Sequence, residues 1–114
     1  MSAIEQTCPI VVTLSVMGGK WKPIMLYYLK DQTLRFSELR RMIPNITEKM
    51  LTQQLRELER DGMIARKVYP VVPPKVEYSL TDHGLSLHPI LETMAEWGRR
   101  HQEIVAKIRE PQSV

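Results

Sequence analysis

Lys49, Thr52, Gln53 and Arg56 are spaced so that a helix gathers an amine, a hydroxyl, an amide and a guanidinium on one side. These are the groups that read nucleic acid. A glutamine amide pairs bidentately with adenine, lysine and arginine reach guanine or phosphate, and threonine touches the thymine methyl. Each bidentate contact by Gln53 or Arg56 would discriminate against a wrong base by about 1–3 kcal/mol. Arg60 extends this side, and Glu48 is the only acid in its forward half. The other side of the same segment, TEKMLTQQLRELERD from Thr47 to Asp61, repeats Leu51, Leu55 and Leu58, a stripe that must be buried. A charged helix face is as often merely solvated, so its neighbours decide between the two. Glu57, Glu59 and Asp61 are expected to be surface ion-pair partners that contribute little.

Cys8 is the second reactive group. Cys8-Pro9 places the thiol at or just before a helix's first turn, where unpaired amides favour negative charge. The thiolate is the form that oxidants and electrophiles attack. Lys20 and Lys22 are cations that the fold could bring to it. The bland alternative is a small apolar residue packed in an interface. With a single cysteine no intrachain disulfide framework exists, so oxidation leads to a Cys8–Cys8 bridge between subunits, a mixed disulfide or an adduct.

Other chemistry is thin. His83, His88 and His101 are five and thirteen residues apart, not the four that place two ligands on one helix face, so surface histidines and no metal site are expected. Gly18-Gly19-Lys20 lacks the phosphate-loop spacing, and no serine stands in a nucleophile elbow. The seven methionines fit core filling. No cofactor and no enzymatic constellation is expected. A small-molecule effector would find aromatic surface at Trp21, Tyr27, Tyr28 and Trp97, although no pattern defines a pocket.

The polar-faced segment needs a scaffold, and the rest of the chain supplies one. At 114 residues, 43% hydrophobic and 25% charged, the chain fits one globular domain over 1–114. The net charge of +3 is a weak sign of a nucleic-acid partner, but Lys20 to Met42 holds Lys20, Lys22, Lys30, Arg35, Arg40 and Arg41 against Asp31 and Glu38. A lone cysteine, no signal-peptide pattern and no apolar run near the ~20 residues of a bilayer span point to a soluble, cytoplasmic protein with no membrane role.

Pro9 to Met17 reads as a short helix stopped by Gly18-Gly19. Trp21 to Lys30 is a second, Asp31-Gln32-Thr33 a turn, and Phe36 to Ile43 a third short helix with Arg40 and Arg41 outward. Thr47 caps the fourth, and Gly62 takes a left-handed end position. Met63 to Tyr69 and Lys75 to Leu80 form a hairpin with a proline-rich tip flanked by Lys67 and Lys75. Thr81 caps a last helix to about Arg109, which Pro89 bends or divides near Leu87. Glu110 to Val114 read as a frayed end.

This is the order of a winged helix-turn-helix: mainly α with a two- to three-stranded β-wing, over about 20–80. The first helix of the pair braces the second, which enters the major groove. Arg40, Arg41, Lys67 and Lys75 would touch phosphate.

CPIVVTLSVMGGKWKPIML, RFSELRRMIPNITEKMLTQQLRELERDGMI and VYPVVPPKVEYSLTDHGLSLHPILETMAEWG closely resemble the HxlR family of bacterial transcription regulators, over Cys8 to about His101. The resemblance implies a homodimer on a pseudo-palindromic double-stranded DNA operator, with dimerisation helices at about 9–17 and 82–109. It also implies that the cysteine position senses oxidants or electrophiles in some members. The last helix supports a dimer independently. Its stripe of Leu87, Ile90, Leu91, Met94, Trp97, Ile104 and Ile108 outruns what a compact winged-helix unit covers. Two-fold symmetry would set the groove helices about 34–36 Å apart. The alternative function is a winged-helix protein-interaction module without specific DNA binding.

Overall fold

A computed structural model describes residues 8–108. Among the described residues the order is α1 Pro9–Met17, α2 Trp21–Tyr28, β1 Leu34–Arg35, α3 Phe36–Met42, α4 Glu48–Arg60, β2 Ile64–Tyr69, β3 Lys75–Leu80, α5 Asp82–Ser86 and α6 His88–Ile108. The local causes are those the residue types dictate. Thr47 Oγ1 accepts from the Met50 amide at 3.0 Å and starts α4. Gly62, at φ +74°, lets the chain leave that helix for the sheet. Thr81 Oγ1 accepts from the Gly84 amide at 2.9 Å and donates to the Gly62 carbonyl at 2.6 Å, so one hydroxyl starts α5 and ties it to the end of α4. Gly84 permits that close approach, since a Cβ there would lie 2.0 Å from the Met63 carbonyl oxygen.

The sheet is antiparallel in the order β1-β3-β2, with Leu34 opposite Tyr78 and Ile64 opposite Leu80. The core joins Met25, Leu26 and Leu29 of α2, Leu39 of α3, and Leu51, Leu55 and Leu58 of α4, with Met63 and Ile64 at the entry to the wing. α4 is therefore held from behind by α2 and at its end by β2, and its polar side is left outward.

Two helix ends differ from the expectation, and the wing takes the three-stranded form of the two that were expected. The second helix ends at Tyr28 rather than Lys30, because the chain reverses at Asp31 in the left-handed region, φ +56°. Ile43 is the cap of α3 rather than its last residue. A third strand, β1, completes the sheet; two residues carry no period, and only pairing with β3 defines them. The last helical segment is divided at Leu87, as Pro89 requires. Its expected end at Arg109 and the tail from Glu110 to Val114 lie outside the described residues. No helix among them is long and apolar enough to cross a membrane.

Candidate nucleic-acid interface

The fold brings Lys49, Thr52, Gln53 and Arg56 together, with Glu48 and Glu57, along a shallow groove of about 630 Å³ on the open side of α4. Thr52 and Arg56 also line a recess of about 280 Å³ shared with Phe36, Arg66 and Tyr78, so the α4 face runs on to the base of the wing. Arg40 and Arg41 of α3 meet Glu48 in a neighbouring recess, where Arg40 Nη1 lies 2.8 Å from Glu48 Oε1. All of these cations are exposed. α3, α4 and the wing thus present one side of the molecule rich in arginine and lysine, which is what a phosphate-lined duplex requires.

Lys67 and Lys75 stand over the ring of Tyr69, each ammonium 4.8 Å from its centroid. Tyr69 Oη donates to Glu77 Oε1 at 2.6 Å, and Lys75 Nζ lies 3.7 Å from Glu77 Oε2. The Tyr69 hydrogen bond, and secondarily the nearby cations, hold the Glu77 carboxyl below its ordinary range. The two lysines flank the wing as expected, but on an aromatic pedestal. Arg66, which the sequence reading passed over, sits on β2 with Nε 3.2 Å from Glu59 Oε2 and links wing to α4. A cation inside an otherwise apolar-alternating strand was the signal that would have found it.

Two expectations are corrected here. Glu57 is an ion-pair partner as expected, but of a buried group rather than of another surface one. It meets Lys22, whose Nζ lies 2.5 Å from Glu57 Oε1 and which is only 6% exposed. The hydrogen bond from Lys22, then that from Gln53, hold the Glu57 carboxyl below its ordinary value. Lys22 is therefore not part of the exposed basic surface. His88 is not a surface histidine either. It is 4% exposed, its ring stacked 5.8 Å from that of Tyr27, because the break at Leu87 turns the first residue of α6 inward over α2. His83 and His101 are exposed, and His101 stacks on Trp97.

Along α6 the stripe splits. Leu87 and Leu91 lie in the core of their own chain, since the first turns of α6 pack on α2, and they are thus withdrawn from the expected partner surface. Met94, Trp97, Ile104 and Ile108 remain exposed, Trp97 by 60%. α1 repeats the theme: Met17 is buried, whereas Ile10, Val11 and Leu14 are exposed. Cys8 is exposed at the N-cap of α1, its carbonyl accepting from the Val11 amide at 2.9 Å. Of the aromatic residues considered for an effector, Tyr27 and Tyr28 line a cavity of about 270 Å³ between α2 and α6, and Trp21 and Trp97 do not. Among the described residues no group of three His, Cys, Asp or Glu side chains is placed to hold a metal ion.

Comparison with known proteins places this arrangement. A family model described as HxlR-like helix-turn-helix matches residues 16–105. An uncharacterised HTH-type transcriptional regulator of Bacillus subtilis, YdeP, is 54% identical over 101 residues, covering 89% of this chain and 79% of the relative. Among solved structures, the redox regulator HypR in its oxidised form is 57% identical with a TM-score of 0.79, covering 82% of this chain and 96% of that one. HypR in its reduced form is 52% identical with a TM-score of 0.83, covering 88% and 99%.

Proposed function

The chain belongs to the HxlR-like helix-turn-helix family of DNA-binding transcriptional regulators, and from that premise we propose how this molecule meets DNA and what controls it. It acts in the cytoplasm as a homodimer on a pseudo-palindromic operator, as one domain of winged helix-turn-helix over about 20–80 with dimerising helices on either side. The observation that carries this is the α4 face. Lys49, Thr52, Gln53 and Arg56 share one open groove on a helix held rigidly from behind by its leucines. Gln53 and Arg56 read base edges in the major groove; Lys49 and Thr52 sit beside them. Arg40, Arg41, Lys67 and Lys75 take phosphates on either flank and set the register without reading sequence.

The dimer forms through the exposed halves of α1 and α6. Ile10, Val11 and Leu14 on one, and Met94, Trp97, Ile104 and Ile108 on the other, give apolar surface that a lone domain would leave in water. Cys8 precedes α1 and so lies at the edge of that interface. Its control function is a two-electron oxidation. Two Cys8 thiols of one dimer give up two protons and two electrons to an oxidant such as hydrogen peroxide, which leaves as two waters, and a Cys8–Cys8 bond forms. The likeness to HypR, a redox regulator in name, supports that role.

Titration of the reduced protein against its own upstream intergenic DNA, with unrelated DNA as competitor and hydrogen peroxide added last, tests both parts. Selective binding, altered by peroxide in the parent but not in Cys8→Ser, is the expected result. Binding that ignores peroxide removes the switch. Absence of selectivity moves the weight to a protein-interaction module.

A further inference from the structure

Among the described residues Lys22 is the only lysine or arginine that the fold buries. An ammonium out of water needs a countercharge, and Glu57 Oε1 supplies it at 2.5 Å. The other oxygen of that carboxylate, Oε2, accepts from Gln53 Nε2 at 3.2 Å. A single chain of contacts therefore runs from α2, inside the domain, to the amide in the middle of the polar face of α4.

That chain has a direction. A carboxylate only accepts hydrogen bonds, so the part of the Gln53 amide that faces it must be the NH₂. Held so, Gln53 turns Oε1 away from Glu57 and keeps one N–H free. A free acceptor beside a free donor is the pair that matches the N6 amine and N7 of adenine. An unheld glutamine amide has both orientations open, and only its hydrogen-bond partners choose between them. Lys22 completes the arrangement in two ways. It fixes the carboxylate in place from below, and it neutralises a negative charge that stands among the groups meant for an anionic duplex.

We infer that Lys22 and Glu57 are positioning residues that hold the Gln53 amide in the orientation for reading a base, which rests on Gln53 being a base contact as proposed above. Neither residue touches DNA in this arrangement. Breaking either link should therefore alter binding to DNA in general only through the one unit of charge it changes, weakening it in Lys22→Met and strengthening it in Glu57→Gln. What it should change is the preference at the one base pair per half-site that Gln53 reads.

The test is selection from a pool of duplexes with a randomised core, followed by sequencing. The chain is used unaltered and as Gln53→Ala, Glu57→Gln, Lys22→Met and the double variant of Lys22→Met with Gln53→Ala. The unaltered chain enriches a two-fold sequence, and Gln53→Ala loses preference at one base pair of each half-site. Glu57→Gln puts a donor where only acceptors stood, which frees the Gln53 amide to flip. It should weaken preference at that same base pair by about tenfold, the low end for one bidentate contact. Lys22→Met, which breaks the other link with an apolar side chain of similar length, should do the same. In the Gln53→Ala background it should add nothing at that position. A loss of preference spread over every position, or unaltered preference at that base pair in both Glu57→Gln and Lys22→Met, would overturn the inference while leaving Gln53 as a base contact. If Gln53→Ala itself changes no position, or the unaltered chain enriches no sequence, the base-reading premise fails and the inference with it.

Discussion

α4 and α6 are both amphipathic, yet their apolar stripes meet different fates. Leu51, Leu55 and Leu58 of α4 are covered entirely by their own chain, while α6 covers Leu91 and leaves Met94, Trp97 and Ile104 open, Ile104 by 54%. Pattern alone does not separate the two cases; length and position do. α4 has 13 residues and lies between α2 and the wing, so every turn finds a neighbour. α6 has 21 residues and, at 1.5 Å per residue, runs about 31 Å, past the side of α2 on which its first turns rest. An apolar stripe states that a partner exists. The reach of the helix beyond its own domain is what supports the proposed second copy as that partner. The polar faces differ in the same sense: the α4 face is tied to one buried group, through the Lys22–Glu57 hydrogen bond, and among the described residues the second half of α6 has no such tie.

This contrast can be broken at several points. The largest effect is expected from Leu55→Ala, which opens a cavity under α4 and should destabilise the protein by about 2–5 kcal/mol in urea unfolding. A loss near zero would mean that α4 is not anchored as described. Trp97→Asp places a charge in the open stripe of α6. It should weaken self-association by about 2 kcal/mol or more, seen as monomers in sedimentation, without lowering helix content; a dimer that persists would show that the α6 stripe is not the interface. Gln53→Ala should relax base preference by about 1–3 kcal/mol at one position per half-site. Arg41→Ala should instead weaken all duplexes alike and lower the salt slope by about one unit per chain. Equal loss of specificity in both would remove the distinction between reading and anchoring on the α3–α4 surface. The smallest effect is in pH. Glu57 has its carboxyl held below its ordinary value of 4.5, so the Lys22 pair contributes fully above that pH. The contribution is lost as the carboxylate protonates on acidification below it. Thermal unfolding followed from pH 6 to pH 3 should therefore fall less steeply in Glu57→Gln than in the parent chain, and parallel curves would contradict the pairing.

Much of this was legible from residue order because its causes are local. Thr47 and Thr81 are side-chain caps within three residues of the amides they serve, Gly62 marks a left-handed exit, and Pro89 cannot continue a helix. The α4 face was legible because 3.6-residue periodicity separates Lys49, Thr52, Gln53 and Arg56 from the leucines without any tertiary knowledge. What escaped was set by distant partners. Lys22 reads as one more surface cation until Glu57, 35 residues away, is found against it. His88 looks like a surface histidine until α6 folds back over Tyr27. Leu87 and Leu91 belong to the same stripe as Trp97, and only the packing of α6 on α2 divides them. β1 exists through its pairing with β3 and leaves no periodic mark.

The central claim is that α4 reads sequence as one half of a two-fold pair. The direct measurement is a titration of the reduced protein onto a duplex carrying the selected two-fold sequence, and onto a scrambled duplex of equal length, across a range of salt, with mass determined at saturation. The account predicts two chains per selected duplex, a preference of about 10³-fold or more over the scrambled one, and an affinity that falls steeply with salt. Equal affinity for both duplexes, or one chain per site, would contradict it.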